Sequence, residues 1–132
     1  MRFLIFLISL ISINVFSDTS YFKCEAKDGY ILDEQGYRPF AYKKGERFES
    51  LTINRKTKLV SWQARTFEFI EDHNKDNIYE MDLRSDFLSI SLRFNGVTGM
   101  LKEDIFIGTP SNSGSTSTKV TYECKKTTPI FD

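Results

Sequence analysis

Apolar and polar residues alternate with a period of two along most of this chain. Phe22, Cys24 and Ala26 are set against Tyr21, Lys23 and Glu25, and Leu51 and Ile53 against Thr52 and Asn54. Val60, Trp62 and Ala64 alternate with Leu59, Ser61 and Gln63, and Tyr79, Met81 and Leu83 with Glu80 and Asp82. The longest unbroken run sets Leu88, Ile90, Leu92 and Phe94 against Ser89, Ser91 and Arg93. Val120, Tyr122 and Cys124, against Thr121 and Glu123, close the series. Side chains on a strand point alternately to its two faces, so each run predicts a strand with one buried face.

The breaks carry turn chemistry. Residues 54–58 and 72–77 are rich in Asn, Asp and Lys and predict hairpin loops. Asn95-Gly96 predicts a tight two-residue turn, because both residues tolerate positive φ, and it sets a following strand to start at Val97. Helical pattern is confined to a single turn near residues 43–47. Two segments resist the strand reading. Residues 28–46 hold Gly29, Gly36, Gly45, Pro39, Tyr30, Tyr37 and Tyr42, and predict an ordered excursion with short extended pieces. Residues 109–117, TPSNSGSTS, have too little apolar surface to offset their ordering entropy and predict a mobile loop. Taken together, the pattern predicts an all-β fold: one small antiparallel barrel or sandwich of about seven to nine strands.

The N-terminus has a different character. Met1-Arg2 precedes a run from Phe3 to Phe16 of Phe, Leu, Ile and Val, diluted by Ser9, Ser12 and Asn14. This is shorter and more polar than the roughly 20 apolar residues of a membrane span. Its proportions are those of a signal-peptide core, and Val15-Phe16-Ser17 supplies a cleavage site after Ser17. The reading is a removable leader over 1–17 and a single β-rich domain over 18–132, with no membrane span after cleavage. The expected address is secreted or periplasmic.

Charge narrows the partners. The chain carries 18 basic and 18 acidic side chains, and losing Arg2 leaves the mature chain with a single excess acid. Binding nucleic acid by counterion release needs a surplus of Lys and Arg, so no nucleic-acid partner is expected. Export also gives the two cysteines, Cys24 and Cys124, an oxidising compartment in which an even count reads as a disulfide. Both fall on apolar strand faces, so the bridge is expected to join the first and last strands of the domain.

Candidate chemistry is sparse. Asp72-x-Asn74-x-Asp76 copies the opening of a calcium loop, but Asn77 replaces the glycine at its sixth position and Leu83 the glutamate at its twelfth. His73, the only histidine, lies inside that polar loop, so a triad or zinc site has little to build on. No metal, cofactor or catalytic residue is therefore assigned. Carboxylate pairs occur at Glu46 and Glu49, Glu68 and Glu71, Asp82 and Asp86, and Glu103-Asp104; solvation of outer strand faces accounts for them. Short basic clusters stand at Lys43-Lys44 with Arg47 and at Lys125-Lys126. The candidate binding surface is the aromatic group Tyr30, Tyr37, Phe40 and Tyr42, since tyrosine combines a flat apolar face with a polar tip.

Tyr21-x-x-Cys24, Asp28-Gly29-Tyr30, Gly36 and Pro39 resemble the opening of a group of small uncharacterised secreted bacterial and phage proteins. Leu88 to Leu101, Tyr122-x-Cys124-x-Lys126 and Phe131 resemble their C-terminal half. That group implies no activity. A weaker likeness is to periplasmic inhibitors of C-type lysozyme, eight-stranded barrels with a cysteine near each end. Their inhibitory loop pairs Ser-Gly with a nearby Tyr; here Ser113-Gly114 is followed by Tyr only at Tyr122. The expected function is a non-catalytic binding or inhibitor-like β-domain whose ligand is a protein or a small molecule. Its rivals are a self-associating envelope or virion protein and a carboxylate-dependent hydrolase.

Overall fold

The computed structural model describes residues 19–68, 77–108 and 114–128. The expected leader, the calcium-like positions 72, 74 and 76, His73 and Glu71 lie outside these residues. Nine strands are described: β1 (Thr19–Asp33), β2 (Gly36–Ala41), β3 (Phe48–Asn54), β4 (Leu59–Trp62), β5 (Arg65–Glu68), β6 (Ile78–Arg84), β7 (Leu88–Asn95), β8 (Met100–Gly108) and β9 (Ser115–Thr127). All pairs are antiparallel and the sheet runs β5-β4-β3-β1-β9-β8-β7-β6, with β2 attached to β1.

The topology is simpler than that order suggests. One edge of β1 pairs with β9 along Tyr21 to Leu32, while its other edge pairs first with β3 and then with β2. β2 and β3 thus form one strand interrupted by the residues between them. Every strand lies beside its chain neighbours, and the first meets the last. The result is a nearly closed eight-stranded up-and-down barrel, with β5 and β6 adjacent but without a ladder among the described residues. Cys24 and Cys124 face each other across β1 and β9 and are bonded, so the disulfide joins the near-terminal strands.

The predicted alternation sorts inside from outside. Leu51, Ile53, Val60, Trp62, Met81, Ile90, Leu92, Phe94, Leu101 and Tyr122 point inward and are almost wholly buried. A side chain lining a water-sized cavity would keep exposed area, so around these residues the interior is filled. Across the barrel Trp62 meets Tyr122 edge-on with centroids 4.9 Å apart, and Phe22 meets Phe94 likewise at 4.9 Å. The outer face carries charge: Glu80, Arg93 and Lys102 share one outer row, and Asp82, Asp104 and Lys119 the next. A barrel that spans a membrane has the reverse arrangement, with its apolar band outside. Among the described residues no helix is long and apolar enough to cross a membrane.

Several expectations need correction. Residues 28–46 are mostly a regular hairpin of β1 and β2, and the turn at 43–47 is no helix. There Glu46 N donates to Lys43 O at 3.0 Å, and Gly45 takes positive φ. Asn95-Gly96 does not make the two-residue turn. Asn95 Oδ1 instead accepts from Val97 N and Thr98 N, and the loop closes at Gly99, whose N–H donates to Asn95 O at 2.8 Å. β8 therefore starts at Met100 rather than Val97. A Cβ on Gly99 would lie 2.5 Å from the carbonyl oxygen of Cys124, so the loop needs its glycine there. Ala64 leaves β4 for a turn, and Ser115 to Ser117 belong to β9 rather than to a loop. Leu88, expected in the core, is half-buried at the barrel's end.

Candidate functional site

One end of the barrel is uneven. β4 and β5 stop at the Gln63-Ala64 turn, while β1, β2, β7, β8 and β9 run on past it. Among the described residues, β3 meets β4 only from Leu51 to Asn54, and β2 pairs with β1 alone. The sheet beyond the turn is therefore an open, curved extension. Its inner face carries the row Leu83, Ile90, Ile105, Thr118, Ile31 and Arg38, as the registers across β6, β7, β8, β9, β1 and β2 require.

A buried polar network forms the floor of this end. Glu103 is 2 % exposed. Its Oε2 accepts from Trp62 Nε1 at 2.7 Å and its Oε1 from the Tyr122 hydroxyl at 3.3 Å. The Gln63 amide, oriented to satisfy both its ends, donates to Glu103 Oε2 at 3.2 Å and accepts from Arg47 at 3.3 Å. Arg47 also donates to the Tyr42 hydroxyl at 3.1 Å and to Glu49 at 3.3 Å. Burial, followed by the neighbouring Glu103 carboxylate, pushes the Tyr122 phenol well above its ordinary range, which keeps it protonated and donating. Each member has partners, so the network closes the end of the core.

The turn that delivers Gln63 is strained. Gln63 and Ala64 both take positive φ, 49° and 60°, where Asn-Gly is the usual choice. Left-handed backbone costs a non-glycine residue about 1–2 kcal/mol. The contacts of Gln63 with Glu103 and Arg47 offset that cost. Nothing in the local sequence signals this turn, because the alternation through Ala64 reads as continuing strand.

The four aromatic residues singled out from sequence fall into two pairs on opposite faces. Phe40 and Tyr42, with centroids 5.5 Å apart, pack against the core. Tyr30 and Tyr37, with centroids 5.0 Å apart, lie on the outer face. Strand parity explains the division, since Tyr37 and Phe40 are three residues apart on one strand. The outer pair belongs to a larger surface that composition alone misses. The registers Tyr37↔Leu32, Leu32↔Ser117 and Ser117↔Phe106 place these four residues in one outward row across β2, β1, β9 and β8. Tyr37 is 62 % exposed, Leu32 48 % and Phe106 46 %. Beside the row, Lys119 pairs with Asp104 at 3.5 Å and reaches over the Tyr30 ring. Arg38 pairs with Asp33 on the opposite, inner face of the same hairpin.

Several of the remaining carboxylate candidates have local partners. Glu103 points inward and Asp104 outward, so this pair of carboxylates is separated by the sheet. Asp82 accepts from Ser91, Glu46 from the Lys43 amide, and Glu49 pairs with Arg47. No group of three or more potential metal ligands occurs among the described residues. Tyr122, the first tyrosine after Ser113-Gly114, is buried in the core rather than presented on a loop.

No protein-family model, curated protein or solved structure matches the chain.

Proposed function

We propose that this chain is a non-catalytic binding domain that docks a partner protein on the outer face of its open end. The leader over 1–17 would carry it to an oxidising compartment, periplasmic or extracellular, where the Cys24–Cys124 bridge persists. The observation that carries the reading is the row Tyr37, Leu32 and Phe106, with Tyr30 beside it. Three large apolar side chains stay about half exposed there, and the strand registers set them in a single row. Aromatic anchors with a charged pair at their margin, here Lys119 with Asp104, are the usual anatomy of a protein-binding patch. The inhibitor-like mode implied by resemblance is one form of such binding.

Site-specific photo-crosslinking in producing cells tests the proposal. A photoreactive residue at Tyr37 should yield a discrete adduct, and the same residue at Ser61, exposed on β4, should yield none. Equal adducts at both positions, or none at Tyr37, would remove the docking surface.

Self-association has one observation in its favour, the exposed edge of β2. That edge is six residues long and carries Pro39, which lacks an N–H, and short proline-bearing edges pair poorly.

A further inference from the structure

The disulfide fixes the register of β1 against β9, and that register places like charges opposite one another on both sides of the bridge. Glu25 faces Glu123, and Lys23 faces Lys125. Directly opposed like charges destabilise an antiparallel pair. The two acids are relieved locally, because Lys27 Nζ lies 3.2 Å from Glu25 and 3.5 Å from Glu123. The two lysines receive no such relief. Lys23 Nζ sits 4.4 Å from the centroid of the Phe48 ring, and neither lysine forms an ion pair among the described residues.

Lys23 lines a groove of about 440 Å³ with Tyr21, Phe48, Ser50, Thr52 and Thr127. Glu49 also borders it but is paired with Arg47, and Lys125 stands opposite Lys23 on the neighbouring strand. Ser50 is opposite Lys23, and Tyr21 lies between Thr52 and Thr127. The groove therefore offers an aromatic surface from Tyr21 and Phe48, hydroxyl groups along both margins, and the Lys23 ammonium with that of Lys125 beside it, neither having a counter-anion among the described residues.

We propose that this groove binds an anionic sugar, with Lys23 and Lys125 holding its acidic group and Tyr21 and Phe48 packing against the ring. Aromatic faces suit the C–H faces of a pyranose, hydroxyls exchange hydrogen bonds with its hydroxyls, and an acidic substituent removes the lysine repulsion. The site uses different residues from the Tyr37 row, toward the opposite ends of β1 and β9, and stands or falls independently of it.

An amide-resolved NMR titration of the oxidised chain tests this. The probes are tetragalacturonate, a sulfated maltotetraose and plain maltotetraose, with inorganic phosphate as the ion control. Either acidic tetramer should shift the amides around Lys23, Ser50, Thr52 and Thr127 saturably, and whichever binds more tightly identifies the acid as carboxylate or sulfate. The Lys23→Gln, Lys125→Gln double variant should bind at least about tenfold more weakly. The single change Lys125→Glu should abolish binding yet raise the denaturant midpoint, because it turns the repulsive pair into an attractive one. Equal binding by plain maltotetraose, equal shifts with phosphate, unchanged affinity in the double variant, or no saturable shift would each overturn the proposal.

Discussion

Glu103 illustrates how single residues hold the open end together. A buried carboxylate needs donors, and Trp62, Tyr122 and Gln63 supply them from three elements. Gln63 reaches its place only because the turn accepts left-handed backbone at two non-glycine positions. Ala64 makes no comparable contact, so its strain is uncompensated by side-chain bonding. Ala64→Gly should therefore stabilise the barrel by about 0.5–1 kcal/mol, seen as a higher urea midpoint at unchanged slope. A lower midpoint would show that the turn is relaxed. Tyr122 gives a pH prediction. Its folded pKa is raised, so its contribution is complete below the unfolded value near 10 and is lost as pH rises through the folded value. Stability should fall above about pH 10 for this reason. Spectroscopic titration should show one tyrosine ionising only as the barrel unfolds, and Tyr122→Phe should remove that lagging component.

At the level of strands, the sequence is most readable where the barrel is closed. β7 is the clearest example. Ile90, Leu92 and Phe94 are buried, and Arg93 is exposed, as the alternation requires. Ile90→Ala should cost about 2–5 kcal/mol, whereas Ser91→Ala, which loses an exposed bond to Asp82, should cost below about 1 kcal/mol. Matching midpoints for the two variants would mean the faces are exchanged. The hairpin of β1 and β2 is less legible for a physical reason. It runs past the β4–β5 turn, so neither of its faces is fully covered and the contrast between apolar and polar positions fades. The turns are hardest to read. Asn95-Gly96 carries the right residues for a tight hairpin, but Gly96 N–H is drawn to Asn77 O at 2.7 Å and the loop extends to Gly99. Tertiary contacts outweigh a local preference in both that turn and Gln63-Ala64. The aromatic group is visible as composition, but its division between two faces requires the strand assignment first. The Lys23 and Lys125 pair requires the register, which follows once the cysteines are known to be bonded.

The whole barrel depends on joining its two ends, and two devices do so. The β1–β9 ladder pairs strands from opposite ends of the chain, and the disulfide bonds the same two strands across 100 residues of sequence. The ladder acts in the folded state. The bridge acts chiefly by limiting the unfolded chain, for which a loop of this length implies about 4–5 kcal/mol in the chain-entropy model. These roles can be separated experimentally. The Cys24→Ala, Cys124→Ala variant should retain the barrel, because the flanking ladder positions and the packing of Trp62, Phe94 and Tyr122 do not involve sulfur. Its β-sheet circular dichroism should match that of the oxidised chain at low denaturant. Its midpoint should fall by an amount corresponding to a few kcal/mol. Its slope should also steepen, since an unfolded chain without the cross-link exposes more surface. A variant that loses its circular dichroism outright would show that the ladder cannot bring the ends together unaided. A lower midpoint at the same slope would place the bridge's effect in the folded barrel instead.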